Sequence, residues 1–236
     1  MILGQLTITG ADDNTDQHDL VKIQQDYPFV EWGILFGNRD GRPRFPTAKW
    51  VQNLCDKGLN LSCHLCSKWV DSFRVGNHLF ANERSFEFGL FKRCQINTHA
   101  ERFIPHPNFP FLLADNPKQY IIQMDGVNNE LFEATDFFLR EEDRDGARVV
   151  PLFDLSHGAG VSPEKWTDLE QETGCPYCGY AGGLGPENLE EQLKKLADTV
   201  GRATVWVDME TNVRNGRDLD LKKVVKCLKI GEYWNR

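Results

Sequence analysis

"YAGGLGPENL", residues 180–189, decides the fold. An apolar, strand-like run enters it, two adjacent glycines and a third two residues on interrupt it, and a helical pattern follows. Glycine in regular structure costs roughly 0.5–1 kcal/mol relative to alanine, so three of them mark either a turn or a place where backbone must approach something closely. Backbone N–H groups at such a place, with a helix beginning behind them, form a cradle for an anion. The helical pattern "PENLEEQLKKLADTVG" supports this reading. Pro186 stands at a first-turn position, Glu187, Glu190 and Glu191 lie early, Lys194 and Lys195 lie later, and Gly201 closes the run. Leu189, Leu193, Leu196 and Val200 form its core stripe.

Working outward, strand-like stretches recur with helical patterns between them: "LTITG", "EWGILF", "LNLSCHLC", "RCQINTH", "QYIIQMD", "RVVPLFD", "CGYAGGL" and "TVWVDMET". They lack clean two-residue alternation, as expected of parallel strands buried on both faces. Eight βα units in 236 residues predict an α/β fold, a single (β/α)8 TIM barrel occupying residues 1–236 as one domain. "TAKWVQNLCDKG", with Thr47 as its cap, "NNELFEATDFFLREEDRDG" and "LDLKKVVKCLKIGEYW" are read as further helices, and the proline-rich "AERFIPHPNFPFLLADNP" allows only a short one. The strand ends at Thr9, Phe36, Cys66, His99, Asp125, Asp154, Leu184 and Thr211 are expected at one rim, where barrels of this kind carry their chemistry.

A net charge of −8 opposes a nucleic-acid surface, and no 18-residue apolar run predicts a membrane span. The N-terminus lacks the basic and apolar regions of an export signal, and seven cysteines, an odd number, fit a reduced compartment. The expectation is a cytoplasmic monomer or homodimer with a small anionic ligand, no nucleic acid or membrane partner, and no cofactor. Cys63/Cys66 fall late in the third strand and Cys175/Cys178 at the start of the seventh, so the two C-x-x-C pairs belong at opposite ends and do not share a zinc ion.

"AGGLGPENL" resembles the strand-seven signature of the phosphoribosylanthranilate isomerase family, A/S-G-G-L-x-P-E-N-V/L. "GRPRF" (41–45), "THAE" (98–101), "LFDLSHGAG" and "VDMETNVRN" follow the order of that family's S-P/K-R-Y, L-H-G-E, L-L-D and V-D-V-S-S-G-V-E segments. The resemblance implies an aldose-to-ketose rearrangement driven by a general acid and a general base. It makes Asp154 the acid and Arg44 the grip on an aromatic carboxylate, with His99 on the substrate side. It places Gly182, Gly183, Glu210, Thr211 and Asn212 around the phosphate. The family's base is a cysteine ending the first strand, where this chain has Thr9. A threonine hydroxyl needs an activator, so Asp12, Asp13 and Asp125 are alternative sources of a base. Glu210 is expected to repel a phosphate and Arg214 to offset it. Two other readings stand beside this one. One is a metal-dependent barrel hydrolase or epimerase using some of His64, His99, Asp125, Asp154, His157 and Glu210; the other is a barrel that binds a small ligand without turnover.

Overall fold

The computed structural model describes residues 1–37, 40–70, 91–97, 119–124, 132, 148–154 and 160–236. Eight parallel strands close into a barrel in sequence order: β1 (Ile2–Thr9), β2 (Val30–Phe36), β3 (Leu61–Leu65), β4 (Arg93–Ile96), β5 (Gln119–Met124), β6 (Arg148–Phe153), β7 (Tyr177–Ala181) and β8 (Thr204–Met209). β1 closes the ring by pairing with β8 from Ile2↔Thr204 to Ile8↔Met209. This is the predicted (β/α)8 barrel.

The helices described between strands start where short polar side chains satisfy free N–H groups. α1 (Gln17–Asp26) is capped by Asp16, α2 (Ala48–Cys55) by Thr47, α3 (Leu169–Thr173) by Asp168, and α5 (Leu221–Trp234) by Asp220. α4 (Leu189–Val200) differs from expectation, beginning three residues after Pro186. The intervening residues form a turn, in which Gly185 accepts from the N–H groups of Asn188 and Leu189. The Asn188 side chain is spent inside that turn, accepting from the Gly185 N–H at 2.9 Å and donating to the Gly183 carbonyl at 2.9 Å. The core stripe Leu189, Leu193, Leu196 and Val200 is buried as expected. The helical readings at 128–146 and 100–117 lie outside the described residues.

Two apolar clusters form. The larger fills the annulus between strands and helices, from Leu3, Leu6 and Ile8 round to Cys227 and Leu228. The smaller comprises Ile121, Val150, Leu152, Ala181 and Trp206, on β5 to β8. The buried residues of opposite parity on β1 to β4 are mostly polar, including Thr7, Thr9, Glu31, Ser62, His64, Arg93 and Gln95. Register links them: Thr7 pairs with Glu31, Thr9 with Gly33, and Gln95 with His64. Arg93 joins the halves, bonding Glu31 at 3.0 Å and Gln5 at 3.0 Å while its guanidinium stacks over Trp206 at 4.1 Å. The interior is thus polar along β1 to β4, with the charged pair Glu31 and Arg93 at the N-terminal ends of β2 and β4 and the neutral groups Thr9, His64 and Gln95 toward the C-terminal ends of β1, β3 and β4.

Strands β1 and β2 end at the predicted residues, Thr9 and Phe36, whereas β3, β6, β7 and β8 end one to three residues before Cys66, Asp154, Leu184 and Thr211. The four predicted residues open the loops. His99 and Asp125 lie outside the described residues. Cys63 is on β3 and Cys66 follows it, while Cys178 lies on β7 with Cys175 before that strand, so the pairs occupy opposite ends of the barrel.

Candidate functional site

A cavity of about 570 Å³ opens at the C-terminal ends of the strands. Thr9, Arg44, Asp154, Gly182, Gly183, Glu210, Thr211 and Asn212 all line it, so residues from the two ends of the chain meet as expected. His99 lies outside the described residues. Asp12 does not line the cavity; it is buried behind it. Its carboxylate accepts from the Arg44 backbone N–H at 2.7 Å and from the Arg214 guanidinium at 3.4 Å. It therefore braces the β2 loop, holding Arg44 at a positive φ of 78° that a non-glycine residue seldom adopts. Asp13 is exposed and bonds Thr47.

Local glycines explain how the walls come so close. A Cβ on Gly33 of β2 would stand 2.3 Å from Thr9 Oγ1 and 2.9 Å from His64 Nε2. Without one, the threonine hydroxyl and the imidazole share the space in front of β2. Gly182 and Gly183 have φ of 132° and 58°, and a Cβ on Gly183 would lie 2.6 Å from both Gly160 O and Ser162 N. Those two glycines therefore admit the backbone of the segment following β6. Asn212 closes this corner, donating to the Gly183 carbonyl at 2.6 Å. The three glycines of 180–189 serve close approach and a turn together; the helix behind begins later than the sequence implies, at Leu189.

The electrostatics are dominated by acids. Thr9 Oγ1 donates to Asp208 Oδ1 at 2.7 Å. Burial, reinforced by Glu210, Asp154 and Glu31, pushes the Asp208 carboxyl up to about 7 against the lowering effect of the Thr9 bond. Asp154 accepts from Gln123 Nε2 at 3.0 Å. Glu210 is bound to Arg44 at 2.7 Å, so the arginine offsets its charge directly; burial still raises the Glu210 carboxyl above its ordinary range. Arg214, the expected compensator, is turned away toward Gly10 O, Asp12 and Arg217 O. His64 is held neutral: burial, then the nearby Arg93 charge, lowers its pKa to about 3. Cys66 accepts from Asn97 at 3.2 Å, and burial raises its thiol to about 11. It is protonated at neutral pH.

The barrel is similar to phosphoribosylanthranilate isomerase. Superposed on N-(5'-phosphoribosyl)anthranilate isomerase from Pyrococcus furiosus, it gives a TM-score of 0.54 at 14% identity, covering 97% of this chain and 98% of that one. Phosphoribosyl anthranilate isomerase from Thermococcus kodakaraensis gives 0.53 at 13% identity, with the same coverage. No protein-family model and no curated protein matches the sequence. At this identity the likeness establishes the fold, and the chemistry of the site rests on its own residues.

Asp208, which lies in the "VDMETNVRN" segment but is given no role there, and Gln123 and Asn97, which lie outside the segments of the resemblance, also line the cavity. The usable signal is parity: Trp206 and Asp208 share a strand face, as do Thr7 and Thr9, and a charged residue at the C-terminal end of an otherwise apolar barrel strand points to chemistry. For the metal reading, no three His, Cys, Asp or Glu side chains come together to hold an ion among the described residues; His99, Asp125 and His157 fall outside them. No helix among the described residues is long and apolar enough to cross a membrane.

Proposed function

We propose that this barrel catalyses an aldose-to-ketose rearrangement of a small sugar-derived amine, with Asp154 as general acid and Asp208 as general base. The observation that carries this reading is Asp208. It lines the same cavity as Asp154, and its pKa of about 7 lets it exchange a proton near neutral pH. In the resembled family the base is a cysteine at the end of β1. Here Thr9 occupies that position and donates to Asp208, so the basic group has moved one strand round the barrel while the threonine orients it.

The chemistry needs one carboxyl group to give a proton and another to take one. Asp154, held by Gln123, delivers a proton to the ring oxygen as the C–O bond opens. Asp208 as carboxylate takes the proton from the carbon adjacent to the resulting iminium carbon, leaving the enol-amine that tautomerises to the ketose.

The substrate differs from phosphoribosylanthranilate at its aromatic end. Arg44, which the resemblance makes the carboxylate grip, already holds Glu210. That pair also favours the second reading, a barrel that binds its ligand without turnover, because an internal carboxylate fills the place of a substrate group. A panel of aldosylamine 5-phosphates, with and without an aromatic carboxylate, tests the proposal by ketose formation. Turnover of a member lacking the carboxylate, abolished by both Asp154→Asn and Asp208→Asn, is expected. Tight binding without turnover of any member supports the second reading instead.

A further inference from the structure

We propose that Cys175 and Cys178 are a redox-modification site, a dithiol that a small neutral disulfide oxidises to an intramolecular bridge. The pair lies at the N-terminal end of β7, opposite the cavity, so it stands apart from the proposed isomerase. Cys178 is on the strand and 3% exposed, whereas Cys175 precedes the strand and is partly exposed. The chain folds back between them. Gly174 ends α3 at a φ of 70°, Pro176 fixes the backbone between the two cysteines, and Cys178 Sγ donates to the Cys175 carbonyl at 3.1 Å. The two thiols are hydrogen-bonded to each other as well. Sulfurs already in contact meet the proximity that a bridge requires. Cys63 and Cys94 also touch, across the β3–β4 pairing, but they are 1% and 0% exposed, and no reagent reaches them. Cys66 opens into the cavity and accepts from Asn97, and Cys227 is fully buried. Among the described residues, contact between thiols and access from solvent coincide at 175 and 178 alone.

The exchange runs in two steps. Cys175, the accessible thiol, gives up its proton, and its sulfur attacks the reagent disulfide. An Sγ–S bond forms, the reagent S–S bond breaks, and the departing thiolate takes up a proton. Cys178 then loses its proton and attacks Cys175 Sγ, which closes the bridge and releases the second reagent thiol. Two protein thiols are thereby oxidised by two electrons, and the reagent is reduced to two thiols. The Cys178 thiol is held well above its ordinary range, first by its hydrogen bond to Cys175, then by burial, the Cys175 charge, Glu170 and Asp168. Both Cys175 contributions vanish once that sulfur is in the mixed disulfide, so the first step prepares the second. Burial and the two acids remain. They make the exchange slow, and they make Cys178 a poor leaving group when the bridge is reduced.

Bis(2-hydroxyethyl) disulfide is the probe, because it is neutral and is not repelled by Asp168 and Glu170. The intact protein is incubated with it, remaining thiols are blocked with N-ethylmaleimide after denaturation, and peptides are mapped by mass spectrometry. The peptide holding Cys175 and Cys178 is expected to have lost two hydrogens and to take up no maleimide until it is reduced. Cys178→Ser is expected to stop at a hydroxyethylthio adduct on Cys175, and Cys175→Ser to leave Cys178 reduced. Each variant is checked for an unchanged thermal melt; where one does not fold, the wild-type map decides. Wild-type protein in which both cysteines still take maleimide, in which Cys175 keeps its adduct despite Cys178, or in which either is bridged to another cysteine overturns the site.

Discussion

The Thr9 hydroxyl donates a 2.7 Å hydrogen bond to Oδ1 of Asp208, joining the last residue of β1 to the penultimate residue of β8 across the seam that closes the barrel. This bond stabilises the Asp208 carboxylate against a burial that favours its neutral form. Thr9→Val removes it without changing side-chain volume much, so the Asp208 pKa rises further. With Asp208 as the base, the alkaline-rising limb of the rate profile then moves to higher pH, while the plateau rate falls less than in Asp208→Asn. An unmoved limb would separate Thr9 from the base.

Asp208 also predicts how stability depends on pH. Its folded pKa of about 7 lies above its unfolded value, so the folded state binds the proton more tightly. Its favourable contribution is therefore full below about pH 4 and is lost as pH rises through about 7, roughly 4 kcal/mol in all. Asp208→Asn accepts the Thr9 bond but cannot ionise. Denaturant unfolding should find the variant more stable than wild type at pH 8, with the difference shrinking toward pH 4. A variant less stable at pH 8 would contradict a carboxylate destabilised by burial.

Gly33→Ala tests how the site is made room for. The new Cβ would stand 2.3 Å from Thr9 Oγ1 and 2.9 Å from the imidazole of His64, so one or both must move. Overpacking of this kind costs about 1–3 kcal/mol. Activity or ligand affinity should fall further than stability, because both displaced groups face the cavity; a melt lowered with ligand binding unchanged would show that the groups yield harmlessly.

Arg93 and Glu31 are almost fully buried, and the pair sits beneath the cavity. Glu31→Gln leaves the Arg93 charge without its counter-ion, at a cost of about 3–5 kcal/mol in unfolding free energy. Glu31→Gln combined with Arg93→Met should recover much of that loss, since a buried ion pair is often replaceable by apolar packing. Failure of the double variant to recover would indicate that Arg93 stacking on Trp206 matters more than the ion pair.

Much of this architecture is legible in the sequence, for physical reasons. The eight apolar runs, and caps such as Thr47, are local signals, and they place the barrel and α2 correctly. The glycine signature at 182–183 locates one wall of the cavity. Its role is harder to read, because what Gly183 accommodates is the backbone of Gly160 and Ser162, more than 20 residues away. The start of α4 differs from the sequence pattern since Pro186 fits a first helical turn as well as it fits the preceding tight turn; the hydrogen bonds of Asn188 to Gly183 and Gly185 decide between them. Asp208 is inconspicuous because a carboxylate in a strand carries no local signature of its burial. The Arg44–Glu210 pair joins residues 166 positions apart, and only closure of the barrel brings them to 2.7 Å. Asp12 has the residue type of a base, yet its partners Arg44 and Arg214 make it a brace.

If Asp208 is the base, a carboxyl group in this cavity titrates near neutral pH, and carbon-13 NMR of the aspartate side-chain carboxyls across pH 3–9 measures it directly. One resonance should show a midpoint near 7 and be missing from the spectrum of Asp208→Asn. If the resonance that Asp208→Asn removes titrates near the ordinary aspartate value of about 4, the base is not Asp208 and the proposed mechanism is wrong.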